Sequence, residues 1–257
     1  MNLIEARSVR VLLGGTPIVQ EASLTVAAGE IIGLIGPNGA GKSTLIKALA
    51  GLLPVQAGGV FLEDKPLTQW SAAARAQRVG YLPQGVQIHW PLTVERTVTL
   101  GRIPHQAPWQ PLNAADHTAV AQALRQTDTA ALAGRRVDVL AGGEKTLVMV
   151  ARVLAGKPRV ILADEPVAGL DPNHQLQVME LLAALAQKGC AVLVVLHDLS
   201  LAARFCSKLF FMKEGRFIAS GPPETVLTPG HLRAGYSIEA RLVPGPDGLG
   251  IIPWKRL

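Results

Sequence analysis

The sequence predicts an α/β fold: a mainly parallel sheet covered by helices, with an antiparallel β part at the N-terminus and an α-helical lobe inserted between sheet strands. Three observations predict it. The runs Ile31–Ile35, Val160–Ala163 and Ala191–Leu196 are apolar at every position, the pattern of strands buried on both faces. Amphipathic helical patterns with capping residues alternate with them. Segment 85–140 is rich in Ala, Gln and Pro and reads as loops and helices without a strand.

Taken in order, residues 2–28 read as β-hairpins rather than βα units. After the Ile31–Ile35 strand comes a helix over Lys42–Ala50, closed by Gly51. Val79–Leu82 is a short strand. The inserted lobe holds a helix over Asn113–Gln126 with Asn113 as N-cap. A helix over Pro172–Ala186 has Asp171 before it and Gly189 after it, and leads into Ala191–Leu196. The tail beyond Gly230 carries Pro244, Gly245, Pro246, Gly248 and Gly250 and is expected to be irregular. The core therefore spans 1–85 and 158–230, the helical subdomain 86–157 and the tail 231–257.

The chain has 257 residues, 49% of them hydrophobic, which suits one large domain with an inserted lobe and excludes a disordered chain. Cys190 and Cys206 are too few for a disulfide framework, so a reduced, cytoplasmic setting is the default. The best apolar run, Cys190–Leu196, falls far short of the roughly 20 residues a bilayer demands. Arg7 and Arg10 are followed by no long apolar stretch, so no secretory signal is expected. The net charge of +6 is scattered, with no basic run beyond Arg135-Arg136, and no dedicated nucleic-acid surface is expected.

Gly36, Pro37, Asn38, Gly39, Ala40, Gly41, Lys42 and Ser43 fit G-x-x-x-x-G-K-[ST], between a strand and a helix, with Thr44 next. The glycines let backbone wrap phosphate oxygens, and the helix aims its amides at them. Lys42 would reach the β- and γ-phosphates, and Ser43 would coordinate Mg²⁺. A second site must hold that metal. Val160–Ala163 runs into Asp164 and Glu165, carboxylates that would be costly at the end of a buried strand without a cation or hydrogen bonds. Strand alternation gives them different jobs: Asp164 holds Mg²⁺, and Glu165 orients a water against the γ-phosphate.

With these motifs, residues 2–230 resemble the ATP-binding cassette (ABC) family of ATPases, which implies a P-loop NTPase core. Leu140-Ala141-Gly142-Gly143-Glu144 is similar to the family signature, Gly143 standing 21 residues before Asp164. The resemblance implies that this glycine turn faces ATP bound by a partner copy, two chains enclosing two ATPs. Gln84 is similar to the glutamine that contacts Mg²⁺ and the attacking water, and His197 to the switch histidine on the γ-phosphate. Asp171 resembles the loop that crosses the dimer interface; it is also suited to cap the helix after it.

Two positions depart from the pattern. Leu13 stands where an aromatic ring would stack on adenine, which weakens base binding by roughly 1 kcal/mol. Ala141 replaces the signature serine, whose hydroxyl bond to a charged group is worth about 1.5–3 kcal/mol, so a slower enzyme is expected.

The resemblance further implies a homodimer, or a pair with a related ATPase subunit, on the cytoplasmic face of the plasma membrane. It would drive a separate permease, docked between Gln84 and about His105, and act indirectly with a periplasmic substrate-binding protein. Thr97–His105 is similar to ATPases of iron-siderophore, haem and vitamin B12 importers, chiefly at Gly101-Arg102 and Pro104-His105; the other reading of that stretch is a helix C-cap followed by a Pro turn. His89, His105 and His117 are too irregularly spaced for a metal site. Other ABC importers or exporters remain as alternatives. So do ABC ATPases acting on nucleic acid or ribosomes, though these usually have a long coiled coil or two cassettes. A regulatory, non-hydrolysing cassette is a further class, against which Glu165 and His197 argue.

Overall fold

The computed structural model describes residues 1–85, 91–107, 110–245 and 248–257. The chain opens with a long hairpin, β1 (Asn2–Leu13) and β2 (Thr16–Ala27), followed by β3 (Ile31–Ile35) and α1 (Lys42–Leu49). A second hairpin, β4 (Ala57–Leu62) and β5 (Lys65–Pro66), precedes α2 (Ala72–Ala76) and β6 (Val79–Leu82). Between β6 and β7 (Val160–Asp164) lie α3 (Val94–Thr99), α4 (Ala114–Gln126) and α5 (Gly142–Ala155). Then come α6 (Pro172–Gln187), β8 (Ala191–Val195), α7 (Leu199–Phe205), β9 (Lys208–Lys213) and β10 (Arg216–Gly221). The chain closes with α8 (Pro223–Val226), α9 (Pro229–Tyr236), β11 (Ile238–Gly245) and β12 (Gly248–Arg256).

Ten strands form one sheet in the order β5-β4-β1-β2-β10-β9-β3-β8-β7-β6. From β9 to β6 neighbouring strands run parallel, and β5-β4-β1-β2 are antiparallel. The parallel strands read as unbroken apolar runs because both faces are covered. Ile32, Leu34, Leu162, Leu193 and Val195 enter the core on one side, and Ile35, Ile161, Ala163, Val192 and Val194 the core on the other. The two halves of the sheet meet where Arg216 of β10 pairs with Glu21 of β2.

The stretch 97–105 is built into the helical lobe. α3 ends at Thr99 and passes directly into a 3-10 turn over Leu100–His105, with Pro104 inside it. Arg102 is buried, donating to Asp116 Oδ1 and to the Ala155 carbonyl, both at 2.8 Å. His105 Nε2 meets the Gly156 carbonyl at 2.8 Å, and Gln77 Nε2 donates to that of Pro104 at 2.7 Å. A Cβ on Gly101 would lie 2.0 Å from the Arg152 carbonyl oxygen, so only glycine allows this approach. These residues fasten the turn to α4 and to the end of α5 within the lobe.

The tail is not irregular. After α9, β11 and β12 form an antiparallel hairpin that packs on α7. Ile238, Ala240, Leu242, Leu249 and Ile251 turn inward onto the core, and the Ile251 N–H donates to Ser200 Oγ at 2.9 Å. Gly245 and Gly248 pair with each other, so two of the glycines that suggested irregularity belong to paired strands.

Candidate active site

Leu13, Ile18, Asn38, Gly39, Ala40, Gly41, Lys42, Ser43, Thr44, Gln84, Glu165 and His197 line one cleft of about 550 Å³. The loop enters it through Gly36, whose φ of 147° and lack of a side chain are both required. A Cβ there would sit 2.1 Å from the Met212 carbonyl oxygen. Lys42 is buried, its Nζ donating to the carbonyls of Gly36 at 2.7 Å and Pro37 at 2.9 Å. Burial lowers its pKa, while the charges of Glu165 and Asp164 pull the other way.

Asp164, at the end of β7, is 1% exposed and accepts from Ser43 Oγ at 3.0 Å. Burial raises its carboxyl above the ordinary range; the Ser43 bond opposes this, and the Glu165 charge adds to it. A buried carboxylate held up in this way favours a cation beside it. Among the described residues no group of three or more His, Cys, Asp or Glu side chains could hold a metal by itself. A divalent ion here must therefore complete its shell from water and ligand oxygens, as Mg²⁺ with phosphates does.

Glu165 does not continue the strand. Its φ of 51° is left-handed, so turn geometry and not alternation along a strand separates it from Asp164. The turn sets its carboxylate between two partners. Oε1 meets His197 Nε2 at 2.5 Å, and Oε2 accepts from Gln84 Nε2 at 2.5 Å. Each oxygen is engaged once, which fixes the carboxylate's orientation and leaves a second lone pair on each oxygen to accept from a water.

The structure does not bring the signature-like residues into this cleft. Ala141 is the N-cap of α5 and Gly142 and Gly143 its first residues, with the Ala141 N–H donating to Glu144 Oε2 at 2.9 Å. Asp171 caps α6, accepting from the His174 N–H at 3.1 Å, and its other oxygen meets His174 Nδ1 at 2.6 Å. The His174 ring lies against Gly143, where a Cβ would come within 2.6 Å of Cδ2. His174 thus links the two motifs within one chain. Sequence reasoning missed it, because a histidine inside a helix gives no local signal.

Ile18 was also missed; it shares the cleft rim with Leu13, which is 41% exposed. Leu13 pairs with Thr16 across the hairpin turn, and Ile18 follows two residues on in β2. Of the three histidines considered for a metal, His105 is tied to Gly156, and His89 lies outside the described residues.

Residues 19–168 match the sequence profile of the family described as ABC transporter. Over 98% of this chain and 90% of that protein, the sequence is 42% identical to the hemin import ATP-binding protein HmuV of Streptomyces coelicolor. It is also 42% identical to the protein of that name from Bordetella pertussis, over 95% of each chain. Among solved structures, an inward-facing ABC transporter superposes with a TM-score of 0.86 at 23% identity, over 99% of this chain and 98% of that one.

Proposed function

The chain belongs to the ABC transporter family, and on that premise we propose that it is the ATP-hydrolysing subunit of a haem or related metal-chelate importer. The observation that carries the catalytic part is the Glu165 carboxylate, held by His197 and Gln84 in the cleft that contains Lys42 and Ser43. The amides of the loop from Asn38 and the N-terminus of α1 receive the phosphates, and Lys42 exchanges its two carbonyl partners for phosphate oxygens. Ser43 and Asp164 would hold Mg²⁺, and the ion would supply positive charge against the phosphates. Glu165 orients a water toward the γ-phosphate, and His197 and Gln84, which hold that carboxylate, stand where they would contact the nucleotide and its metal.

Ala141, Gly142, Gly143 and Asp171 lie outside the cleft of their own chain, which supports a role across a dimer, on nucleotide held by a second copy. Among the described residues no helix is long and apolar enough to cross a membrane, and the importer reading implies a membrane permease as partner. A cleft of about 270 Å³ lined by Gly80, Tyr81, Pro83, Leu100, Pro104 and Met149, between β6 and the helical lobe, offers it a seat. Haem as cargo is supported by the relatives named for hemin import and their near full-length match. The importer reading further implies a position at the cytoplasmic face of the plasma membrane and a periplasmic binding protein as indirect partner.

Phosphate release by the purified chain and its Glu165→Gln variant tests the chemistry. The variant is expected to lose at least a hundredfold in turnover, keep nucleotide affinity and elute as a dimer with Mg-ATP. A Glu165→Gln chain that turns over normally, or stays monomeric when loaded, overturns the scheme. Haem uptake by vesicles holding the chain with its permease tests the cargo; uptake that does not depend on ATP, or ATP turnover that haem leaves unchanged, would reject it.

A further inference from the structure

The C-terminal segment reaches the phosphate-binding loop at one point. The Gly36 N–H donates to Tyr236 Oη at 2.8 Å, between residues 200 positions apart in the chain. The carbonyl of the same residue is held by Lys42 Nζ at 2.7 Å, and Met212 closes the remaining side. Gly36 stands just before the residues that line the cleft, so Tyr236 meets the loop at its entrance and leaves the cleft itself clear.

Tyr236 is firmly built. Its ring packs on Phe211 with centroids 5.0 Å apart, and Gly235 lies so close to Phe211 that a Cβ would overlap the ring. Lys213 Nζ donates to the Ala234 carbonyl at 2.7 Å. Ser237, left-handed at φ 56°, turns the chain from α9 into β11, and its carbonyl accepts from the Leu257 N–H at 2.9 Å. Burial pushes the phenol far above its ordinary pKa, so a neutral hydroxyl faces Gly36 at every physiological pH.

We propose that Tyr236 is a positioning residue for the phosphate-binding loop, through which the C-terminal segment sets nucleotide affinity. The proposal rests on the ATPase reading above. Tyr236 touches no reacting atom; it fixes the orientation of the Gly36 peptide, from which the anion-binding amides that follow are laid out. Loss of the hydroxyl leaves a buried N–H without an acceptor and frees that peptide to turn.

Tyr236→Phe in the full chain removes the oxygen alone. Its KM for ATP is expected to rise roughly three- to tenfold with kcat within about twofold, and its thermal midpoint to fall by about 2–4 °C. Arg241→Ala removes a cation stacked 4.1 Å over Trp254 in the same tail and is expected to leave KM unchanged. An unchanged KM in Tyr236→Phe, or an equal rise in Arg241→Ala, overturns the proposal. Amide exchange in the nucleotide-free wild type tests the contact without a variant. The Gly36 N–H should exchange far more slowly than that of exposed Gly39, and equal rates would reject it. A wild type that does not hydrolyse ATP sinks the ATPase reading, whereas a working wild type with a protected Gly36 and an unaltered Tyr236→Phe sinks this one.

Discussion

At position 141 a serine would have two uses. As the N-cap of α5 its hydroxyl would accept from an amide in the first turn and add about 0.5–2 kcal/mol of stability. Facing a partner's nucleotide, it would instead donate to phosphate and speed turnover on the order of tenfold. Ala141→Ser is expected to do the second, read as phosphate release; a higher melting point with unchanged turnover would mean that the hydroxyl serves only its own helix. Asp116 offers a test by pH. The Arg102 guanidinium, together with the Asn113 amide, holds its carboxyl below the ordinary range. The folded state therefore binds that proton less tightly than the unfolded chain does. The resulting stability is complete above about pH 4 and is lost as the pH falls toward the depressed value. Asp116→Asn should lower stability at neutral pH and flatten its acid dependence, measured as urea midpoints from pH 3 to 7. The loop residues, Asp164 and Glu165 were legible because their chemistry is written in adjacent positions. Tyr236 and His174 were not, since each acts on a residue far away in the chain.

Among elements, the 3-10 turn over Leu100–His105 shows how a sequence signal and its physical cause can differ. The stretch pointed to a class of cargo, yet Arg102 and His105 turn inward and tie it to α4 and to the end of α5. Gly101→Ala should destabilise the protein by more than 1 kcal/mol, because the backbone of α5 must shift to admit the methyl group. A melting point within a degree of wild type would contradict that. The buried strands were readable because a short run that is apolar at every position needs cover on both faces, which a sheet between two helical layers provides. The tail hairpin was hidden because its inward positions alternate weakly among prolines and glycines, and α7, which it covers, is remote in sequence. The turn at Glu165 was hidden for a third reason: a left-handed φ on a non-glycine residue is imposed by its surroundings.

For the molecule as a whole, the cleft lies across the place where the sheet changes character. Its rim residues Leu13 and Ile18 flank the first hairpin turn, whereas Lys42, Glu165 and His197 follow parallel strands. Those halves meet at the Arg216–Glu21 pair and share an apolar core that reaches from β1 and β2 to β3 and α1. Side-chain packing, more than backbone bonding, keeps them together. A nucleotide lying along the cleft would then serve as a staple, closing the seam as well as occupying the site. Saturation at a hundred times Kd adds about 2.7 kcal/mol to global stability. That protection should appear in the amide exchange of β2, on strands no phosphate touches, and a footprint confined to the loop would show the seam to be rigid already.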